Sequence, residues 1–185
     1  MMFSKKAHPG CESPASARTE GAVVAEETCA VFAAEADPAL CPSSGTVGSK
    51  VDLVTVKALL TGDALRRLDG STYRFCPAPD CDVVYFDSGA GSLFGKSDLT
   101  VRVGLKETED PIPVCYCFGF AAADLRRDLA ARGKTDIPAI IAAEIKAGHC
   151  ACEVKNPQGT CCLGNVSRAA KRLEAELGTT LGKRL

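Results

Sequence analysis

The sequence of 185 residues predicts an α+β protein, in which a small zinc-ribbon-like β module precedes a helical module. In the first half, Cys76 and Cys81 enclose a turn with two prolines, and short alternating apolar segments typical of strands flank that turn. In the second half, apolar residues recur every three or four positions, which is typical of helices. The predicted organisation is a mobile leader (1–40), the β module (41–110) and the helical module (111–185), with a charged, proline-bearing segment at the boundary.

Composition limits the classes of function. The formal net charge of −1 gives no signature of a polyanion-binding protein, so nucleic acid is not an expected partner. No stretch approaches the ~18 apolar residues of a membrane span, and the N-terminal region does not resemble a secretory signal. We therefore expect a cytoplasmic protein without a membrane span. In a reducing compartment, 11 cysteines, an odd number, favour metal binding over disulfides.

The first module is predicted to begin at Cys41, after an Ala-, Glu- and Ser-rich leader. The patterns predict a strand, a helix and two more strands, at 51–56, 56–68, 83–86 and 99–105. The segment 90–97 resembles a phosphate-binding P-loop, but alanine replaces its first glycine and no helix is predicted to follow. We interpret that segment as a hairpin turn.

Three cysteines of the first module have the layout of a zinc ribbon. Cys41 lies at one predicted knuckle, and Cys76 and Cys81 lie at the other. A structural zinc ion takes four ligands, so Cys29, Asp80 or water is a candidate for the fourth. Buried cysteines without a metal are the alternative interpretation.

The helical module is predicted to contain three main helices. The first covers 121–132 and ends at Gly133, and the second begins at Asp136 with a proline in its first turn. The second helix has an isoleucine face and ends at Gly148, and the last helix covers 163–177.

Six of the 11 cysteines lie between 115 and 162, as two Cys-x-Cys pairs and one doublet. Four thiolates at the ends of a helical hairpin are suited to an iron–sulfur cluster, and equally to a closed zinc site. We expect Cys115 and Cys117 to hold one iron, and Cys152 with one member of the doublet to hold the other. Spacing alone leaves open the choice of metal and a shift of ligands to Cys150.

No constellation typical of an enzyme is present. His8 falls in the predicted leader, and His149 lies inside the cysteine cluster as a neighbouring or exposed side chain. We therefore expect a metal-binding protein that is not an enzyme.

The same residues resemble a known family. Two cysteine-bearing strings and the segments around them closely resemble the N-terminal domain of CopZ-type copper chaperones over about residues 41–163. The second half is similar to the small ferredoxin that partners bacterioferritin. The resemblance implies zinc in the first half and a 2Fe–2S cluster in the second. The residues carrying it are Cys41-Pro, 51–60, 73–76, 81–86, Lys106-Glu107, 113–117, Cys152 and 156–163.

The resemblance also implies ligands for each metal. The cluster would be held by Cys115, Cys117, Cys152 and Cys162, and the zinc ion by Cys41, Cys76 and Cys81. Two departures from the family pattern stand out. The first knuckle is typically Cys-Pro-x-Cys, and Ser44 replaces its second cysteine. The full-length chaperones continue into a heavy-metal-associated domain with a copper loop, so we do not expect this chain to pass copper by that loop.

The function expected from these features is one-electron transfer in copper or heavy-metal handling. The expected partner is a copper chaperone, an efflux ATPase or another redox protein. One alternative is a metal-capturing sensor or scaffold, in which Cys150, Cys161 or the leader thiols bind soft metal ions. Another is a role in iron release like that of the bacterioferritin ferredoxin.

Overall fold

In the computed structural model, which describes residues 39–69, 72–87 and 91–182, the first half is built on an antiparallel sheet. Its four strands lie side by side in chain order, so each strand pairs with the one before it. The strands are β1 (Ser49–Val51), β2 (Tyr73–Phe75), β3 (Val83–Asp87) and β4 (Leu93–Gly95). The predicted strand 83–86 is confirmed.

Aromatic side chains fill the core of this half. Tyr73, Phe75, Tyr85 and Phe94 are at most 1% exposed and belong to one apolar cluster. In strand β2, Tyr73 and Phe75 are buried and Arg74 between them is not, because successive side chains of a strand point to opposite faces of the sheet. The chain is poor in aromatics, and among the described residues five of them lie in the strands of this sheet: Tyr73, Phe75, Tyr85, Phe86 and Phe94.

The predicted strand 51–56 is wrong beyond Val51. The chain turns at Asp52 into helix α1 (Leu53–Leu59), whose Thr55, Val56 and Leu59 are buried. The predicted helix 56–68 is divided in two, because Leu60 forms a β-bridge with Leu99 before α2 (Gly62–Leu65) begins. The side chain of Thr61 caps α2 by accepting a bond from the amide of Ala64 at 3.3 Å.

The predicted strand 99–105 is also wrong. Leu99 makes only that bridge to Leu60, and a 3₁₀ turn (Gly104–Lys106) occupies the end of the predicted segment. Its apolar residues Leu99 and Val103 are buried in the core from irregular backbone, so the alternating pattern reflected burial and not strand pairing. The segment resembling a P-loop contains β4 and a 3₁₀ turn (Lys96–Asp98), and residues 88–90 lie outside the described ranges.

The second half begins with a short hairpin and continues as helices. Strand β5 (Pro113–Cys115) pairs antiparallel with β6 (Phe120–Ala121). The helices that follow are α3 (Ala122–Arg132), α4 (Ile137–Lys146), α5 (Cys152–Lys155) and α6 (Leu163–Gly182). Together with the sheet, these helices confirm the α+β class.

The predicted ends of α3 and α4 agree with the structure, and the predicted end of the last helix at 177 is wrong because α6 continues to Gly182. Gly133 ends α3 with a φ of 68°, and Gly148 follows α4 with a φ of 80°. Asp136 precedes α4 as predicted, but its carboxylate pairs with Arg132 at 2.7 Å and makes no capping bond. The core of this half includes Leu125, Ile141 and Val166 from three different helices.

The two halves contact each other through buried polar groups. The hydroxyl of Thr55 donates to the carbonyl of Glu153 at 2.6 Å, and the Tyr85 hydroxyl donates to the carbonyl of Pro157 at 2.8 Å. The amide of Gly104 donates to the Tyr116 hydroxyl at 2.8 Å. The described residues form one compact unit. The boundary between 110 and 111 stays a prediction, and the predicted leader lies almost wholly outside the described ranges.

Among the helices of the described part of the chain, none combines the length and apolar character that crossing a membrane requires.

Candidate metal centres

The first candidate centre lies at the end of the sheet, where three buried cysteines meet. Cys41 follows a β-bridge and begins a tight turn, and Cys76 and Cys81 lie in the loop between β2 and β3. The sulfurs of Cys41 and Cys81 are 4.0 Å apart, and all three lie within 4.8 Å of one another. The structure therefore brings together the three residues predicted as zinc ligands.

Two polar side chains accompany these thiols. The hydroxyl of Ser44 lies 3.4 Å from the sulfur of Cys76. Lys106 is 5% exposed, and its ammonium donates to the carbonyls of Ala78 at 2.6 Å and Cys81 at 3.0 Å. Of the candidates for a fourth ligand, Asp80 is exposed and does not join the converging group, and Cys29 lies outside the described residues.

The surroundings shift the protonation of two of these thiols in opposite directions. Burial acts to raise the pKa of Cys41, but hydrogen bonds with Ser44 and neighbouring groups outweigh it and lower the pKa to about 7. Burial raises the pKa of Cys76. Cys41 thus has substantial thiolate character near neutral pH, and the thiolate is the form that binds metal.

The second candidate centre contains the four cysteines predicted to hold a cluster. The β5–β6 hairpin carries Cys115 and Cys117, Cys152 begins α5, and Cys162 immediately precedes α6. The sulfurs of Cys117 and Cys152 are 3.5 Å apart, and Cys115 is near enough to Cys162 to raise the pKa of its thiol. The predicted assignment of Cys115 and Cys117 to one iron, and of Cys152 with one member of the doublet to the other, stays a prediction.

The doublet and the second Cys-x-Cys pair each contribute one inward side chain. Cys162 is 2% exposed and Cys161 is exposed, while Cys152 is buried and Cys150 is only partly buried. The carbonyl of Glu153, beside Cys152, is held by Thr55, which fixes this loop against α1. His149 is exposed and pairs with Glu144 at 2.7 Å.

Burial dominates the protonation of the second centre. Burial and, after it, the hydrogen bond with Cys117 together raise the pKa of Cys152 to about 12. Burial also raises the pKa of Cys162, and its contact with Cys115 adds to the effect. Without a metal these two thiols are neutral, so metal binding must release their protons.

The two centres suit different metal groups. A tetrahedral zinc ion with Zn–S bonds of about 2.3 Å needs sulfurs about 3.8 Å apart, which the first centre approaches. Within the described residues, one group of at least three Cys, His, Asp or Glu has all its ligand atoms within 4.8 Å of one another. That group is Cys41, Cys76 and Cys81. No three of the four sulfurs of the second centre therefore all lie within 4.8 Å of one another.

Comparison with known proteins decides the family. Residues 38–100 match the CopZ zinc-finger family, described as a zinc binding domain. The copper chaperone CopZ of Archaeoglobus fulgidus is 35% identical over 147 residues, which cover 74% of this chain and 69% of that protein. This chain belongs to the CopZ family. The predicted resemblance to the zinc-binding N-terminal domain of CopZ proteins is thereby confirmed.

A solved structure of the family agrees with the fold. The X-ray structure of the Archaeoglobus fulgidus CopZ N-terminal domain superimposes with a TM-score of 0.58 at 36% identity. The similarity covers 70% of this chain and 95% of that domain. Together with the converging thiols, the match supports zinc as the metal of the first centre.

Sequence patterns alone assign no role to Ser44 or Lys106. In the sequence, Ser44 is a departure from the family pattern and Lys106 is part of a string that resembles the family. The position of Ser44, three residues after Cys41, was a usable signal because that spacing reaches a shared metal in a Cys-Pro-x-Cys knuckle. No sequence signal identifies the burial of Lys106.

Proposed function

We propose that this protein is a non-enzymatic electron carrier in copper handling, with a structural zinc ion and a 2Fe–2S cluster. The ligands we assign to the cluster are Cys115, Cys117, Cys152 and Cys162. The observation that carries the proposal is the arrangement of these four sulfurs in two pairs, one of them 3.5 Å apart. Two pairs suit two metal ions that share a cluster better than one tetrahedral ion.

The chain's own groups are placed to tune this centre. The amide of Ala151 donates to the sulfur of Cys117 at 3.3 Å, a contact that lowers the electron density on a ligand sulfur. Cys115, Cys152 and Cys162 are buried, which excludes water from most of the site. When bound, a 2Fe–2S cluster supplies the transfer of one electron at a time.

The connection to copper comes from the relatives. The Archaeoglobus fulgidus relative is named a copper chaperone, and the fold similarity covers nearly all of that protein's N-terminal domain. We infer that this chain works with a copper-handling partner, such as a second chaperone or an efflux ATPase. Cu(II) gains one electron to become Cu(I), so a one-electron donor matches this need. We expect a cytoplasmic location, since the proposed ligands are reduced thiols.

The proposal is tested on full-length protein purified without oxygen. We expect two irons, two sulfides and one zinc per chain, with visible absorption bands that bleach on reduction. Mixing the reduced protein with one equivalent of Cu(II) should restore the bands and yield one Cu(I), measured with a Cu(I)-specific chromophore. Each Cu(II) reduced corresponds to one electron lost by one chain.

The matched control is Cys152→Ser, which removes one proposed cluster ligand and leaves the zinc thiols intact. It should hold zinc, show no bleachable bands and reduce no Cu(II). Zinc in both centres of the wild-type protein, without iron, would refute the electron-transfer role. A cluster that is reduced but not reoxidised by Cu(II) would refute the connection to copper.

A second function, capture of soft metal ions, is favoured by the exposed thiol of Cys161 and the partly exposed thiol of Cys150 beside the second centre. Thiolates bind Cu(I) strongly. Cu(I) titrated into protein already loaded with zinc and iron distinguishes the two functions, because an electron carrier without capture binds no additional Cu(I). A role in iron release stays a prediction from sequence resemblance.

A further inference from the structure

The first metal centre has the dimensions of a tetrahedron with three sulfurs and one oxygen. With Zn–S of about 2.3 Å and Zn–O of about 2.0 Å, tetrahedral geometry gives about 3.8 Å between sulfurs and about 3.5 Å between sulfur and oxygen. The observed distance between the sulfurs of Cys41 and Cys81 is 4.0 Å. The distance from the Ser44 oxygen to the Cys76 sulfur is 3.4 Å. Both distances are close to the edges of one zinc tetrahedron.

The backbone holds Ser44 in this position. The amide of Gly45 donates to the carbonyl of Cys41 at 2.8 Å, which closes the turn containing Ser44. Gly45 has a φ of 66°, a conformation that favours glycine and reverses the chain at this point. The amide of Thr46 donates to the Ser44 oxygen at 3.3 Å, which directs that oxygen relative to the turn. The hydroxyl is thus placed by the same turn that places Cys41.

A buried positive charge lies beside the same centre. The Lys106 ammonium donates to two carbonyls of the loop that contains Cys76 and Cys81, and it lies 5.9 Å from the centre of the Phe75 ring. A lysine that is 5% exposed loses most of its hydration, which is unfavourable unless negative charge compensates it. Lys106 follows the matched residues 38–100 and belongs to the Lys106-Glu107 string that resembles the family.

The charges of the zinc ion, its three thiolates and the Lys106 ammonium add to zero if the fourth ligand is neutral. Three thiolates and one Zn²⁺ carry a net charge of −1, which the ammonium of Lys106 balances. A fourth thiolate would leave one negative charge uncompensated in a buried place. A hydroxyl oxygen completes the coordination without adding charge, so Ser44 and Lys106 fit the same charge balance.

We propose that Ser44 supplies the oxygen vertex of a three-sulfur, one-oxygen zinc site, and that Lys106 supplies the buried charge that balances it. This inference rests on zinc binding alone and does not depend on the electron-transfer role. The proposed site differs from an all-cysteine site at one residue, Ser44. We expect that residue to bind zinc through its hydroxyl oxygen.

The first test uses X-ray absorption at the zinc edge, which an iron cluster does not disturb, on the full chain. The wild-type protein should show three sulfurs and one oxygen around zinc. Ser44→Cys should show four sulfurs, because the new sulfur occupies the same vertex. The matched control is Ser43→Cys, which adds a thiol to the same turn and should keep three sulfurs and one oxygen.

Zinc affinity tests the two side chains separately. Ser44→Ala should weaken zinc binding by at least about tenfold in competition with a chelator, since losing even a hydrogen-bond partner of a ligand typically costs that much. Lys106→Met should also weaken zinc binding. The loss of zinc affinity should be several-fold greater when Lys106→Met is combined with Ser44→Cys, because that site carries one more negative charge. Circular dichroism establishes that each variant keeps its sheet.

Three results would overturn the inference. Three sulfurs and one oxygen in Ser44→Cys would mean that residue 44 does not reach the vertex. Unchanged zinc affinity in Ser44→Ala would mean that water is the fourth ligand. Equal losses from Lys106→Met in both backgrounds would mean that Lys106 acts through its carbonyl contacts and not through its charge.

Discussion

The two candidate metal centres offer the same ligand atom but arrange it differently. In the first centre, three sulfurs converge within 4.8 Å beside a hydroxyl and a buried ammonium. In the second, four sulfurs form two pairs that join a hairpin to the starts of two helices. The first arrangement suits a single ion, and the second suits a group of metals with a larger extent.

The centres also differ in the protonation of their thiols. Hydrogen bonds with Ser44 and its neighbours lower the pKa of Cys41 to about 7, while burial raises the pKa of Cys152 to about 12. Polar partners thus favour the thiolate form of Cys41, whereas burial keeps Cys152 neutral, so a metal that binds Cys152 must displace its proton. Burial also raises the pKa of Cys76 in the first centre, so the difference lies in individual thiols.

The largest expected effects come from removing one ligand of each centre. Cys76→Ser should eliminate bound zinc and leave iron in place, because the two centres lie in separate apolar clusters. The loss should also unfold part of the sheet, since structural zinc contributes about 10–16 kcal/mol of apparent binding free energy in small zinc domains. Metal analysis and circular dichroism measure both effects.

The matched variants for this comparison are Cys152→Ser and Cys161→Ser. The first should lose iron and keep zinc, and the second should keep both, since the Cys161 side chain is exposed. Loss of both metals in Cys76→Ser and in Cys152→Ser would show that the centres form only together.

An intermediate effect is expected at Gly104, where the first half approaches strand β5. A β-carbon at this position would lie 1.8 Å from the carbonyl oxygen of Pro113, so the backbone must move. Gly104→Ala should lower the free energy of unfolding by about 3 kcal/mol, measured in urea. Gly62→Ala is the control, because its β-carbon meets open space within a helix. If Gly104→Ala lowers the free energy of unfolding no more than Gly62→Ala does, the backbone at Gly104 does not lie close to the Pro113 carbonyl.

The smallest effect is expected from a single hydrogen bond between the halves. Thr55→Val removes the donor to the carbonyl of Glu153 and should lower the free energy of unfolding by about 1–2 kcal/mol. It should also speed the loss of iron to a chelator, because that carbonyl adjoins Cys152. Thr100→Val is the control, since its hydroxyl bonds to Leu59 within the first half at 3.0 Å. Equal iron loss in both variants would mean that Thr55 does not support the second centre.

Sequence reasoning succeeded where local patterns govern structure. Glycines ended the helices α3 and α4 as predicted, because a left-handed residue at a helix end is a local requirement. It failed at 51–56 and 99–105, where alternating apolar residues were interpreted as strands. Val56 is buried from a helix and Val103 from irregular backbone, so burial by tertiary packing gave a strand-like pattern without strand pairing.

The sequence by itself determined the number and type of candidate ligands, the α+β class and the family resemblance, since these follow from residue identity and short spacing. Only the tertiary structure decided which sulfurs meet, that Cys162 turns inward and Cys161 outward, and that Ser44 and Lys106 border the first centre. The physical reason is distance along the chain. Cys41 meets residues 35 and 40 positions later, and Cys117 meets Cys152, 35 positions later. Such contacts depend on how the sheet and helices pack, which no local pattern encodes.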